Sequence, residues 1–225
     1  LVDTEHSWTE HVPAHWGVRK LKYLVERDGF GLQTGPFGSQ LNLDDMADSG
    51  FKVYGQNNVI NEDFEIGDQY IDEDKFNELS QYQLEPGELL MSRMGSSGHC
   101  QIVPEDISQG IMNFHLIRIR PAEEKLSAEF LQLVLNNSKY VEYQIDILGK
   151  GAIMDGINTS ILKNLVLLLP PVPEQKQIVS SLEEELSAID KTVDKINNGI
   201  KYLEEYRNDL ITEAVTGQID VRGEV

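Results

Sequence analysis

Four stretches of this 225-residue chain set amide, hydroxyl and cationic side chains beside glycines or turn residues: Ser39-Gln40, Gln56-Asn57-Asn58, the run holding Arg93, Ser96, Ser97 and His99, and Lys150 with Asp155 and Asn158. Side chains of these types, carried on loops, can form directed hydrogen bonds with base edges. Arg and Lys suit guanine O6 and N7, and Asn and Gln suit adenine N6 and N7. The same types also cap helices and close turns, so each member alone has a structural alternative.

Catalytic arrangements are harder to assemble. Ser39, Ser92, Ser96 and Ser97 lack a nucleophile-elbow context, and the five histidines follow no triad order. His11 and His15 have helical i, i+4 spacing, but Pro13 between them opposes the helix that a shared metal would need. Gly95-Ser96-Ser97-Gly98 lacks the Lys-Ser/Thr pair of a phosphate loop, and Leu169 precedes Pro170-Pro171 where an amino-methyltransferase needs a polar residue to hold its target amine. Cys100 stands alone, which excludes an internal disulfide and reads as a small buried apolar residue. No catalytic residue, metal or cofactor is expected on this chain.

Charge argues against unaided phosphate binding. The net charge is −19; residues 1–172 hold 26 acidic and 13 basic side chains, and residues 173–225 hold 12 and 6. Nucleic-acid affinity comes largely from clustered cations that release counterions, so an acidic chain needs either convergence of its few cations or a basic partner. Asp44-Asp45, Asp72-Glu73-Asp74 and Glu183-Glu184-Glu185 read as solvated faces. No apolar run approaches a membrane span, and the start Leu1-Val2-Asp3 has no signal pattern, so a cytoplasmic location without membrane attachment is expected.

The elements that must carry these loops read as an α+β unit. Residues 18–24 have the spacing of a short amphipathic helix and the densest basic cluster, and residues 29–41 form a structured glycine-rich loop. Strand patterns occupy residues 51–60, 88–94, 99–103 and 112–120, making the middle mainly antiparallel sheet. Ser127 caps a helix running to about residue 145, with Phe130, Leu131, Val134, Leu135, Val141 and Ile145 on its buried face, and residues 165–169 form a core strand. Pro170 marks the end of a first domain, 1–172.

The second domain, 173–225, is a long helix. Leu182, Leu186, Ile189, Val193, Ile196, Ile200, Leu203 and Leu210 recur at the four-then-three spacing of a coiled-coil seam. A single helix cannot bury that seam, so a second copy of the chain or another long helix is expected to cover it. A dimer that becomes monomeric without residues 174–216 is the expectation. Gly199, inside the helix, leaves two readings open: close approach of an antiparallel partner, or a tolerated surface glycine.

Together, Trp8-Thr9-Glu10 with Pro13-Ala14-His15-Trp16, Gly35-Pro36-Phe37-Gly38-Ser39, Gly87-Glu88-Leu89-Leu90-Met91-Ser92-Arg93, Pro170-Pro171-Val172-Pro173-Glu174-Gln175 and the ending from Leu210 to Asp220 resemble the specificity subunits of Type I restriction-modification enzymes. That resemblance implies a target-recognition domain that reads double-stranded DNA, followed by a spacer helix that pairs antiparallel with another. A full subunit of that family has two such units. This chain resembles one half, the C-terminal one by its ending, or a short form that dimerises. The resemblance also implies partners: methyltransferase subunits, which carry S-adenosylmethionine, and indirectly a restriction subunit. The competing reading is a coiled-coil scaffold whose globule binds protein.

Overall fold

The computed structural model describes residues 2–3, 11–27, 29–93, 98–149 and 156–219. Its strands, in chain order, are β1 (Val2–Asp3), β2 (His11–Val12), β3 (Gly17–Lys20), β4 (Leu32–Thr34), β5 (Phe51–Tyr54), β6 (Tyr70–Ile71), β7 (Leu89–Ser92), β8 (Cys100–Ile102), β9 (Gly110–Met112), β10 (Leu116–Ile119) and β11 (Val166–Leu169). The helices are α1 (Gln56–Ile60), α2 (Glu73–Glu78), α3 (Ala128–Asn137), α4 (Lys139–Gly149), α5 (Thr159–Asn164) and α6 (Val172–Val215). The class is α+β, with antiparallel pairing throughout except between β5 and β9. The chain divides into two compact units, Leu1–Val179 and Ser180–Val225.

A four-stranded sheet in the order β4-β10-β7-β8 organises the first unit, beside a three-stranded sheet β6-β5-β9 and the pair β11-β3. All four residues of β7 and of β10 are buried, because both faces of this sheet are covered. Leu89, Met91, Ile117 and Ile119 face a core with Phe130, Leu131, Leu162 and Leu167. Leu90 and Leu116 face a second core with Val53, Tyr54, Val59, Ile71 and Ile111. Covering both faces removes the polar alternation that would otherwise mark a strand.

Four local expectations need correction. Residues 112–120 are not one strand, because 113–115 turn between β9 and β10. Residues 18–24 are not an amphipathic helix: β3 pairs with β11, Leu168 opposite Val18, and only residues Leu21–Tyr23 turn as a single 3-10 helix. Pairing with a strand far along the chain overrides a weak local preference. Residues 51–60 split at Gly55, which ends β5 and opens α1. The helix begun by Ser127 is broken at the extended residue Ser138, giving α3 and α4.

The Ser127 cap is present, its Oγ accepting from the Phe130 amide at 3.2 Å. Asp72 caps α2 in the same way, accepting from the Lys75 amide at 2.8 Å, and puts Glu73 and Asp74 on the positive end of that helix. The root of α6 is fixed by Gln175, which is fully buried, accepts from the Ser127 amide at 2.9 Å and donates to the carbonyls of Lys125 and Pro170. Glu174 accepts from Trp16 Nε1 at 3.0 Å and lies 2.7 Å from His15 Nε2. Beyond Val179, α6 exposes its seam, from 37% at Leu182 to 68% at Leu203. No helix among the described residues is long and apolar enough to cross a membrane.

Candidate nucleic-acid interface

The register of the main sheet places the C-terminal ends of β4 and β7 and the N-terminal ends of β8 and β10 at one edge: Thr34 lies opposite Ile117, Ser92 opposite Leu116 and Met91 opposite Cys100. Two of the expected stretches, Ser39-Gln40 after β4 and the run that leaves β7 at Arg93 and returns to β8 from His99, therefore start from this edge, beside residues 113–115 that lead into β10. Asn113 ties them: its amide donates to the Tyr54 carbonyl at 2.8 Å, its Oδ1 accepts from the His115 amide at 3.0 Å, and its carbonyl accepts from Leu116. Gly35 passes so close that an added Cβ would lie 2.0 Å from the Asn113 carbonyl oxygen. A side chain there would force the 35–41 and 113–115 loops apart.

Arg93 sits at the centre. Its amide donates to the His115 carbonyl, its carbonyl accepts from Ile157, its Nη1 donates to the Phe114 carbonyl at 2.8 Å and its Nε to the Ile157 carbonyl at 3.4 Å. The guanidinium is thus aimed by backbone carbonyls, which leaves it a cation without a carboxylate partner in these bonds. The His115 ring lies tilted against that of Phe114, centroids 3.7 Å apart, and burial, then the neighbouring Arg93 charge, hold its imidazole below the usual histidine range.

The other expected contact residues differ in availability. Ser39 is exposed, and Gln40 uses Oε1 to accept from the Phe37 amide and the Tyr82 hydroxyl. Asn57 is exposed, and Gln56 is half-buried with Oε1 buried and unpartnered. His99 is half-buried, with Nε2 3.4 Å from Glu62 Oε1. Asn158 spends Oδ1 on the amide of Ile161, capping α5 at 3.0 Å. Ser96, Ser97, Lys150 and Asp155 lie outside the described residues.

Asn58 is a correction. It is 4% exposed, accepts from the Gly55 amide at 2.9 Å and donates to the carbonyls of Asp63 at 3.1 Å and Ile66 at 2.9 Å. Both its donors are engaged and it has no surface to offer a base; it shapes the loop after α1. Sequence reasoning also passed over Asn113, Phe114 and His115, since no local pattern reveals a loop made important by residues 60 to 80 positions away. Phe114, 39% accessible, and Phe37, 59%, are large apolar side chains left exposed on the 113–115 and 35–41 loops.

Several cations are withdrawn from the surface. Lys52 is buried and donates to the carbonyls of Phe64 and Glu65. Arg118 is buried, donating to Gln33 Oε1 at 2.5 Å and to Gln81 O and lying 3.6 Å from Glu88, while Arg120 also pairs with Glu88. Burial raises the Glu88 carboxyl above its usual value, and the two guanidinium groups oppose that shift. A cavity of about 680 Å³ opens beside the interface, lined by Gly38, Leu41, Asn42, Asn113, Phe114 and His115. Cys100 is fully buried, and burial pushes its thiol far up.

A family model described as "Type I restriction modification DNA specificity domain" matches residues 15–202. The chain is 26% identical over 212 residues to the putative type I restriction enzyme MjaX specificity subunit of Methanocaldococcus jannaschii, covering 91% of this chain and 46% of that protein. Its fold matches the HsdS subunit of Thermoanaerobacter tengcongensis with a TM-score of 0.55 at 19% identity, over 83% of this chain and 41% of that one. A chain from a structure titled for complex assembly and conformational transition of the type I R-M system matches with a TM-score of 0.61 at 15% identity, over 87% and 45%. The chain spans less than half the length of these relatives.

Proposed function

This chain belongs to the Type I restriction modification DNA specificity family, and from that premise we propose that it is a non-catalytic reader of double-stranded DNA. Its globule recognises a half-site through the edge where Arg93, Ser39, Gln40, Gln56, Asn57 and His99 gather. Convergence of those loops around a guanidinium aimed by the Phe114 and Ile157 carbonyls is the observation that carries this reading. An arginine so placed suits guanine O6 and N7 in the major groove.

The seam of α6 is the surface for self-association, or for pairing with the long helix of another half, as an antiparallel coiled coil. Eight apolar side chains on that seam, each burying part of its exposed area, would contribute on the order of 8 kcal/mol before the cost of association. The remaining surface docks methyltransferase subunits, which hold S-adenosylmethionine and supply the backbone grip that an acidic chain lacks. The restriction subunit joins through them. A cytoplasmic setting goes with such an assembly.

The 44 residues of α6 correspond to about 66 Å. Two copies would set a fixed distance between half-sites, and two-fold symmetry would make the target palindromic. The test is the sequence selected from random duplexes by the chain co-assembled with methyltransferase subunits, before and after deletion of one helical turn. A turn of about 5.4 Å should shorten the preferred spacer by one to two base pairs at about 3.4 Å each. An unchanged spacer refutes the ruler. Acidity favours the second reading, a scaffold that binds protein, which absence of any selected sequence would support.

A further inference from the structure

Glu62 has left-handed backbone, φ 55°, the one such non-glycine among the described residues. It closes α1: its amide donates to the Val59 carbonyl at 3.3 Å, and the Asp63 amide donates to the Asn58 carbonyl at 3.0 Å. In this helix-ending arrangement glycine ordinarily holds the position that Glu62 occupies, because a Cβ is crowded there. A glutamate retained at a glycine position directs attention to what its side chain does.

That side chain meets His99, with Oε1 3.4 Å from Nε2. The pair is within ion-pair distance but short of hydrogen-bond geometry, so Nε2 is left buried without a hydrogen-bond partner. Ser92 Oγ and Gln56 Oε1 share that condition. They belong to the same corner: the Ser92 amide donates to the His99 carbonyl at 2.9 Å, and Gln56 begins the helix that Glu62 ends. The loop bearing Glu62 is held firmly, by the two amide donors of Asn58 and by Lys52 Nζ, which donates to the carbonyls of Phe64 at 2.9 Å and Glu65 at 2.7 Å. Two buried polar side chains thus fix a short loop whose strained residue faces an imidazole.

We infer that Glu62 is a positioning residue for His99: the charge of its carboxylate, 3.4 Å from Nε2, favours the ring proton on that nitrogen and leaves Nδ1 as an acceptor for the amino group of a base. A neutral imidazole has one donor and one acceptor, and the partner of one nitrogen decides the role of the other. In the major groove only adenine N6 and cytosine N4 present amino donors, so His99 reads one of these two bases. This rests on the globule being a DNA reader.

The experiment uses the full chain co-assembled with methyltransferase subunits and a pool of random duplexes. The parent assembly should enrich a motif with an adenine or cytosine at one position that His99→Ala relaxes. Which base is enriched identifies the amino group read. Glu62→Gly should relax that same position by about 10-fold and leave the others unchanged, with a thermal midpoint unchanged or raised by about 2 °C. Glu62→Gln, whose amide oxygen can accept the same N–H, should restore most of the preference. Ring ¹⁵N shifts of neutral His99 should place the proton on Nε2 in the parent chain and show a mixture of the two tautomers in Glu62→Gly. Full preference in Glu62→Gly, a lowered midpoint in that variant, or a proton on Nδ1 in the parent would overturn the inference. A parent assembly that enriches no sequence would overturn the DNA reading and this inference with it.

Discussion

Arg93 Nη1 donates to the carbonyl oxygen of Phe114 at 2.8 Å, joining two loops that leave the same edge of the main sheet. The bond orients the guanidinium without neutralising it. Arg93→Ala should lower selective DNA affinity of the methyltransferase assembly by about 10- to 100-fold while costing the fold about 1 kcal/mol. Arg93→Lys should recover little selectivity, since an ammonium lacks the planar fork that pairs with guanine. Binding measured at two salt concentrations, with thermal unfolding in parallel, checks both.

Asn58→Ala should be a stability variant. It strips partners from the Gly55 amide and from the Asp63 and Ile66 carbonyls, costing about 2–3 kcal/mol, or about 5–10 °C in thermal midpoint. Calorimetry would show this in the isolated chain, without DNA.

Gly35→Ala should cost about 3 kcal/mol, because the new methyl would lie 2.0 Å from the Asn113 carbonyl. The damage should concentrate at the reading edge. Hydrogen exchange should quicken at His115 and Leu116, whose amides bond to Asn113, and remain slow in α3.

The α6 root should loosen in acid. Trp16, then His15, hold the Glu174 carboxyl below its usual value of 4.5. A depressed folded value means the contribution is present above the unfolded value and is lost as pH falls through the folded one. Trp16 fluorescence should therefore change below about pH 4.5, and Glu174→Gln should abolish that transition. A transition that persists in the variant would assign it elsewhere.

Charges on the seam should separate copies of the chain. Ile189→Asp with Ile196→Asp, both over half exposed, should halve the mass seen by light scattering at micromolar concentration and leave the globule folded. Shortening the chain tests the same point only if the cut falls after Val179. Removing residues from 174 onward would also remove Gln175, the plug that bonds Ser127, Lys125 and Pro170.

The rod, the Ser127 cap and the strand 165–169 were legible in the sequence because each depends on local spacing or one capping side chain. The structure around Val18 and Gln56 was not. β3 is a strand because β11 lies beside it, and α1 is a helix because Gly55 admits a turn against Asn113. Of the expected contact residues, Asn58 was misread for a related reason: an amide suited to adenine is equally suited to three backbone groups, and only burial distinguishes the uses. Glycine-rich surroundings make Arg93 a candidate in the sequence, but the carbonyls that aim it belong to residues 21 and 64 positions away.

The confinement of Lys52 and Arg118 to internal bonds leaves the outer skin with fewer positive groups than composition suggests. If the chain reads DNA as proposed, it would hold an incorrect duplex weakly and release it fast. Discrimination and tenacity would then reside in different polypeptides, and each could change without the other.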